Sequence, residues 1–416
     1  MADSAGSGDG ALMKFSSIGN IVVTACLASI ALGASPVLAQ TPLGKEPVKS
    51  ILIWSPQEQL DRYKSIEEVY RTATIKRGER VLELPVAAAQ IAPRVTFGGK
   101  TQDIDAFMKA NRITGLMAVK DGKIVLEKYA FGRTPQDRWT SFSVAKSMTS
   151  TLIGAAIKDR YITSVYDPIT KYIPELVGSG YDDVSLQQVM TMTSGVKWNE
   201  DYADQQSDVA RASRERYDGV TNPLVKYMSR LPSEAAPGTK FVYKTGETDL
   251  AGIALGRALA GKTLAQYASE KIWAPFGMEQ DAIWMTDLAG HERGGCCMSM
   301  TLRDYARIGL FMLGGGKIGG KDILPDGWVD RATTNRLPKG ATGSYGYFWW
   351  PADAPNYQAI GVFGQGIVVY PDDNLVIAVN SAMLKASDRK QSQAKAALFG
   401  AIHDAAMAAQ QANPRN

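Results

Sequence analysis

Ser143-Val-Ala-Lys146 places a hydroxyl and an amine three residues apart, at the point where an apolar helical pattern begins. Residues at that spacing share a helix face, so the amine can reach the hydroxyl. A serine is a poor nucleophile until a base takes its proton. A lysine is such a base once burial or neighbouring cations lower its pKa from about 10.4 in water. The start of a helix adds free backbone N–H groups and the positive end of the dipole, both suited to a developing oxyanion. S-x-x-K is common by chance and a lysine near a helix end is usually solvated, so the apolar flank and the partners elsewhere carry the weight.

The rival chemistries lack parts. A Ser-His-Asp triad needs a histidine, and the chain has 2, His291 in a polar loop and His403 in an Ala-rich helical pattern; no G-x-S-x-G elbow occurs. Metal-assisted hydrolysis needs clustered ligands, and two isolated histidines without H-E-x-x-H spacing make a poor zinc site. Elimination leaves lysine as the base, with no metal or organic cofactor.

A second group lies in Phe241-Val-Tyr-Lys-Thr-Gly-Glu-Thr-Asp249. If Lys244-Thr245-Gly246 were a substrate-lining strand motif, a buried strand should follow. Instead Leu250, Ile253, Ala254 and Ala258 recur at helical spacing. That context disfavours K-T-G and leaves Tyr243, just before a helix, to point its phenol into a cleft.

Elements must hold these groups together. Gly115 to Tyr129 reads as two β-rich runs around Asp121-Gly122, a strong hairpin signal. Ser143 to Ile157 reads as a helix, with Met148, Leu152, Ala155 and Ala156 in phase. Tyr161 to about Ala289 is helical in pattern, broken by Pro168, Pro174, Pro223, Pro232 and Pro237. Strands are expected at Gly346–Trp350, Ala359–Tyr370 and Leu375–Asn380, the last two joined at Pro371–Asn374, and an Ala-rich helix at about Ser392–Ala409. Strands from both ends with helices between imply one sheet carrying a helical insertion.

The 416 residues exceed one small domain, and Lys+Arg 46 against Asp+Glu 42 gives no basic surface for nucleic acid. At the N-terminus, Met13-Lys14, an apolar run from Ile18 to Ala34 and Val37-Leu-Ala39 form a secretory signal, cleaved after Ala39, with Met13 as an alternative start. Gly19, Asn20, Gly33 and Ser35 interrupt the run, which is short for a stable membrane span. Val23-Thr-Ala-Cys26 fits a lipid-attachment site loosely, though apolar sequence continues beyond it. Residues 40–95 read as a Pro-punctuated lead-in with a helix near Ile66–Ala73, and 96–416 as the catalytic domain, its helical subdomain spanning about 161–289. With Cys26 removed, only Cys296-Cys297 remains; adjacent cysteines cannot staple distant segments.

Ser143-Val-Ala-Lys146, Tyr243-Lys-Thr245 and Ile360-Gly-Val-Phe-Gly-Gln365 resemble, in order, the three motifs of the serine β-lactamase-like superfamily, in its class C β-lactamase, family VIII esterase and D-aminopeptidase branch. More narrowly they resemble the 6-aminohexanoate-dimer hydrolases. Leu186–Gly195, Trp198–Tyr202, Thr301–Gly309 and Gly346–Trp350 add to the likeness, which runs over roughly residues 95 to 410. The resemblance implies an α/β (α+β) β-lactamase/penicillin-binding-protein-like transpeptidase fold: an antiparallel sheet flanked by helices, plus a helical subdomain. It further implies that Ser143 is acylated, that Lys146 is its base and that Tyr243 relays a proton to the leaving group. The N–H groups of Ser143 and Val362 would form the oxyanion hole, with Gly361 and Gly364 admitting the substrate. Tyr202 would contact a substrate amide, and Thr245, Phe363, Gly364 and Gln365 would line the site.

Three departures bear on substrate. Thr245 stands where the motif Y-x-N has an amide. Phe363-Gly364-Gln365 replaces a cationic K-T-G, which removes the usual grip on a β-lactam carboxylate. Cys296-Cys297 stand where relatives have Gly-Gly; small packing residues come first among the readings, a vicinal disulfide second, and a catalytic role has no support. The aromatic run Tyr345–Trp350 reads mainly as sheet core, and Arg303-Asp304 as a structural ion pair at a helix start. The expected protein is a periplasmic or secreted serine hydrolase of small amides or esters. A D,D-peptidase, a weak β-lactamase or a penicillin-binding-like protein is the alternative, and neither the substrate nor the oligomeric state is set by sequence.

Overall fold

Strands from before and after the helical region meet in one sheet. A computed structural model describes residues 49–412; the expected leader over 1–39, with Cys26, lies outside the described residues. Helix α1 (Pro56–Arg62) opens on a capping box made by Ser55 and Glu58, and strand β1 (Thr72–Ile75) follows. Strands β2 (Ile113–Lys120) and β3 (Lys123–Tyr129) form the expected hairpin, with φ of 52° at Asp121 and 74° at Gly122 as a primed turn requires. The short strand β4 (Trp139–Thr140) runs into helix α2 (Val144–Lys158), and helix α3 (Thr245–Ala258) starts right after Tyr243. Strands β5 (Ala282–Met285) and β6 (Met298–Met300) precede helix α4 (Leu302–Leu313). The chain closes with β7 (Trp350–Pro351), β8 (Tyr357–Ile360), β9 (Gly366–Tyr370), β10 (Leu375–Ser381) and helix α5 (Arg389–Ala412).

The main sheet has six strands in the order β7-β8-β9-β10-β2-β3, paired antiparallel throughout. Its central pair sets Ile377 against Ala118 and Ala378 against Met117. Both strands are buried along their whole length, because each face is covered. Leu116 and Ala118 pack with Leu398, Phe399 and Ile402 of α5, whereas Met117 and Val119 belong to the larger core with Met148 and Leu152 of α2 and Ala306 of α4. Strand periodicity thus sends alternate side chains to two different helical layers. A second, four-stranded sheet in the order β1-β5-β6-β4 supports the entry to α2.

Several expectations need correction. No helix covers Ile66–Ala73; one 3-10 turn (Ile66–Glu68) gives way to β1, whose β-branched Thr72, Thr74 and Ile75 pair with β5. Strand β5 itself falls inside the stretch read as helical. The run Gly346–Trp350 is core, as expected, but not a strand: Phe348 turns at φ 58°, and only Trp350–Pro351 pairs with a neighbour. The single strand expected over Ala359–Tyr370 is a hairpin, β8 and β9, folded at residues 361–365. Arg303 and Asp304 are structural, yet they pair with Glu127 and Arg307 instead of each other. His291 and His403 sit beside Asp287 and Asp373 near the surface.

Because Ile377 is wholly buried on the central strand, Ile377→Ala should lower unfolding free energy by about 2–5 kcal/mol. Urea unfolding of the two proteins measures this; a change below about 0.5 kcal/mol would contradict the two-layer core.

Candidate active site

The joint between β4 and α2 decides what Ser143 can do. Ser141 is stapled to β6 on both sides: its N–H donates to the Met298 carbonyl at 2.6 Å, and its hydroxyl accepts from the Met298 N–H at 3.0 Å. Phe142 follows at φ 45°, a left-handed conformation that a bulky residue rarely adopts. Its ring is gripped by Tyr63 and Phe363, with centroids 5.1 and 4.9 Å away, so packing offsets the backbone strain next to the nucleophile. Ser143 is then the N-cap of α2, but its hydroxyl makes no capping bond. Within Ser141–Ser150 it alone keeps partial exposure. An N-cap serine that does not cap has its oxygen free for other work.

Lys146 reaches back from the first turn. Its amine donates to the Ser143 hydroxyl at 3.2 Å and to the Gly295 carbonyl at 2.7 Å, and the residue is 1% exposed. Burial lowers its pKa to about 8; Glu200 and Asp249 act to raise it, and Arg293 acts to lower it. The amine also lies 5.4 Å from the centroid of the Tyr243 ring. Tyr243 is stacked on Trp350 at 5.6 Å and meets Tyr345 edge-on at 6.1 Å. Burial of its hydroxyl drives the phenol pKa far up, Glu200 adds to this, and a hydrogen bond with Ser143 opposes it. The phenol therefore stays protonated and can pass a proton on without ever being a stable phenolate.

Two carboxylates that carry no motif of their own complete the arrangement. Glu200, half-buried, accepts hydrogen bonds from the Tyr202 hydroxyl at 2.7 Å, from the Thr245 N–H at 2.9 Å, from the Thr245 hydroxyl and from the Trp198 indole. Among the described residues no cation lies within ion-pair distance of it. Asp249 sits one helical turn beyond Thr245 on α3, on the same face. It pairs with Arg293 at 2.6 Å and accepts from the Gly295 N–H at 2.8 Å, which fixes the loop whose carbonyl meets Lys146. That loop can pass only without side chains: a Cβ at Gly294 would fall 2.3 Å from the Thr248 carbonyl oxygen, and one at Gly295 would fall 2.9 Å from that of Thr245. Sequence patterning assigned neither carboxylate a role, although Glu200 lies within Trp198–Tyr202 and Asp249 four residues beyond Thr245; the Gly295 carbonyl had no signal.

Ser143, Lys146 and Tyr243 are thus brought together, with Tyr202 and Thr245 joined to them through Glu200. The turn at 361–365 closes through Gly361 N–H to the Gln365 carbonyl at 2.8 Å, and it lies against the approach to Ser143, since a Cβ on Gly361 would be 2.7 Å from the Ser141 carbonyl oxygen. Val362 borders the apolar cluster that holds Phe142. Phe363 and Gln365 do not line a cleft with their side chains: Phe363 packs on Phe142, and the Gln365 amide donates to the Ser381 carbonyl at 2.9 Å, both residues being buried. What this turn can offer a substrate is main chain, helped by Gly364 at φ 95°. The order of readings for the cysteines also changes. Cys296 and Cys297 are bonded to each other, and Cys297 is buried against Trp139, Phe142 and Phe363.

Comparison with known proteins bears on the family and the fold. Residues 101–401 match the profile of the family described as Beta-lactamase. A 6-aminohexanoate-dimer hydrolase of Paenarthrobacter ureafaciens is 28% identical over 336 residues, which cover 76% of this chain and 83% of that one. A Bacillus anthracis structure provisionally assigned as a 6-aminohexanoate-dimer hydrolase superposes with TM-score 0.74 at 23% identity, over 88% of this chain and 99% of the other. A class C β-lactamase superposes with TM-score 0.55 at 17% identity, over 71% of this chain and 93% of the other. At those identities the two structures speak for the fold.

Lys146 acts as a base only when neutral, so reaction of Ser143 with a fluorophosphonate should rise with pH and reach half its plateau near pH 8. In Glu200→Gln the carboxylate that raises the Lys146 pKa is gone, and the midpoint should move to lower pH. A wild-type midpoint near the ordinary lysine value, or an upward shift in the variant, would contradict the assignment of base and neighbour.

Proposed function

The chain belongs to the Beta-lactamase family and is a serine hydrolase acting on amides or esters, and from that premise we propose that it is an exported enzyme working through an acyl-enzyme on Ser143. The observation that carries the reading is the buried Lys146 amine 3.2 Å from a serine hydroxyl that does not cap its helix. Neutral Lys146 takes the Ser143 proton as Oγ attacks the substrate carbonyl carbon, and the N–H groups of Ser143 and Val362 receive the oxyanion. Collapse of this intermediate breaks the bond to the leaving amine or alcohol, which takes a proton from Tyr243. The proton held by Lys146 restores the phenol. Water then attacks the acyl-enzyme, giving a proton to the Tyr243–Lys146 pair, which passes it to Ser143 Oγ as the bond to the acyl carbon breaks, releasing the acid and restoring the free hydroxyl and the neutral amine.

A small linear amide or short ester fits this site better than a β-lactam. The turn at Phe363-Gly364-Gln365 carries no cation of its own, and Glu200 adds negative charge beside the catalytic groups. The curated relative acts, by its name, on a dimer of 6-aminohexanoate, a linear amide, and substrates of that class come first. Tyr202 and Thr245 would meet the substrate through the Glu200 cluster. Export rests on the leader read over residues 1–39, with the catalytic domain over 96–416. Among the described residues no helix is long and apolar enough to cross a membrane.

Intact-mass measurement of the mature protein tests this directly, with a p-nitrophenyl ester, a linear 6-aminohexanoate dimer and a penicillin. Ester or dimer should turn over with at most a transient adduct. Ser143→Ala should abolish turnover and Lys146→Ala should lower it by at least roughly 1,000-fold. Full activity in either variant would end the assignment. A lasting penicillin adduct without product would move the protein to the penicillin-binding alternative.

A further inference from the structure

Three successive carbonyl groups of the turn that carries Val362 are held from the C-terminal side. The Val362 carbonyl accepts from the Ser387 N–H at 2.9 Å, and that of Phe363 from the Met383 N–H at 3.1 Å and the Ser381 hydroxyl at 3.2 Å. The Gly364 carbonyl is met by the Lys395 amine of α5 at 3.5 Å. Lys395 is the one charged group among these donors. Its amine also lies 3.9 Å from where a Cβ of Gly366 would be, and the turn itself is close-packed, since a Cβ on Gly364 would fall 2.1 Å from the Ser381 hydroxyl oxygen.

A methionine or leucine would fill such a place on α5 without difficulty, since its neighbours Ala394 and Leu398 are core residues. A buried amine instead loses its hydration, and it needs a partner to be tolerated. Lys395 is 8% exposed, and among the described residues no carboxylate lies within ion-pair distance of it. Burial alone lowers its pKa to about 8. Apart from the Phe399 ring, 6.0 Å from the amine, the Gly364 carbonyl is what it meets.

We propose that Lys395 is a positioning residue for hydrolysis: from behind the sheet its amine holds the Gly364 carbonyl, and with it the turn that presents the Val362 N–H to the oxyanion formed at Ser143. This rests on the oxyanion role given to Val362 above. Lys395 touches no substrate. Its work is to keep the turn from drifting away from the C-terminal helix that anchors it, because a displacement of about 1 Å at the reacting centre costs on the order of 100-fold in rate.

The test compares wild type, Lys395→Met, Lys395→Arg and Ser143→Ala on one p-nitrophenyl ester, with kcat and KM expressed per mole of folded protein by circular dichroism. Lys395→Met should lose roughly tenfold to 100-fold in kcat with KM changed by less than about twofold, because a misplaced oxyanion donor weakens the transition state and not the ground state. Lys395→Arg should recover most of that loss. If Lys395→Met fails to fold, Lys395→Gln, a neutral donor, is held to the same criteria. A folded neutral variant with wild-type kcat, or one whose loss appears in KM alone, overturns the role of Lys395 while an inactive Ser143→Ala leaves the serine mechanism standing. Activity retained in Ser143→Ala overturns the site reading itself.

Discussion

Withdrawing an amine from water weakens its hold on a proton only while its surroundings do not restore the charge, and the architecture around Lys146 can be understood as the management of that one constraint. The amine is offered one carbonyl and one hydroxyl, both neutral. The two carboxylates close enough to matter are each occupied. Asp249 is matched by Arg293, whose positive charge works in the opposite sense on Lys146. Glu200 meets no cation among the described residues but spreads its charge over donors from Trp198, Tyr202 and Thr245. A pKa of about 8, below the ordinary lysine value, is the balance of these opposed effects.

Geometry at this scale needs a rigid frame, and two apolar layers supply it. Helix α2 is buried along nearly its whole length, so Lys146 has little freedom to leave its pocket. The left-handed Phe142 is held by rings from distant parts of the chain, Tyr63 before the main sheet and Phe363 in its β8–β9 turn. Residues 51–75, which carry no chemistry, belong to this frame: Ile51, Trp54 and Ile66 share a cluster with Trp139, Phe142 and Cys297. Strain at the nucleophile is stored where the surroundings over-determine it.

Local signals were legible in the sequence wherever local physics decides. Asp121-Gly122 fixed its hairpin because both positions need positive φ. Ser143 and Lys146 were readable because a helix brings residues three apart together, and Tyr243 because a helical pattern began beside it. The sheet built from both chain ends followed from where the β-rich runs fell. Failures came where a tertiary partner or a single φ overrides propensity. Gly364 bends one apparent strand into two, Phe348 turns an aromatic run out of strand geometry, and Thr72–Ile75 becomes a strand because β5 is there to pair with it. The Gly295 carbonyl could not be foreseen, since every residue carries a carbonyl and only the folded loop gives this one its direction.

The antiparallel pairing of β2 with β10 also bears on how such a protein comes into being. These strands are the middle of the sheet, yet one lies near the start of the described chain and the other near its end. Everything between them, including the whole helical region, is a loop that must close before the sheet has a centre, and contacts so distant in sequence make for slow folding. A chain emerging from the N-terminal side can form its first hairpin but has no partner strand, no α5 and no cover for the apolar faces of β2 until residues 375–412 have been made. For the export proposed above this delay would be useful: the topology that makes the finished core rigid also keeps the unfinished chain from locking early.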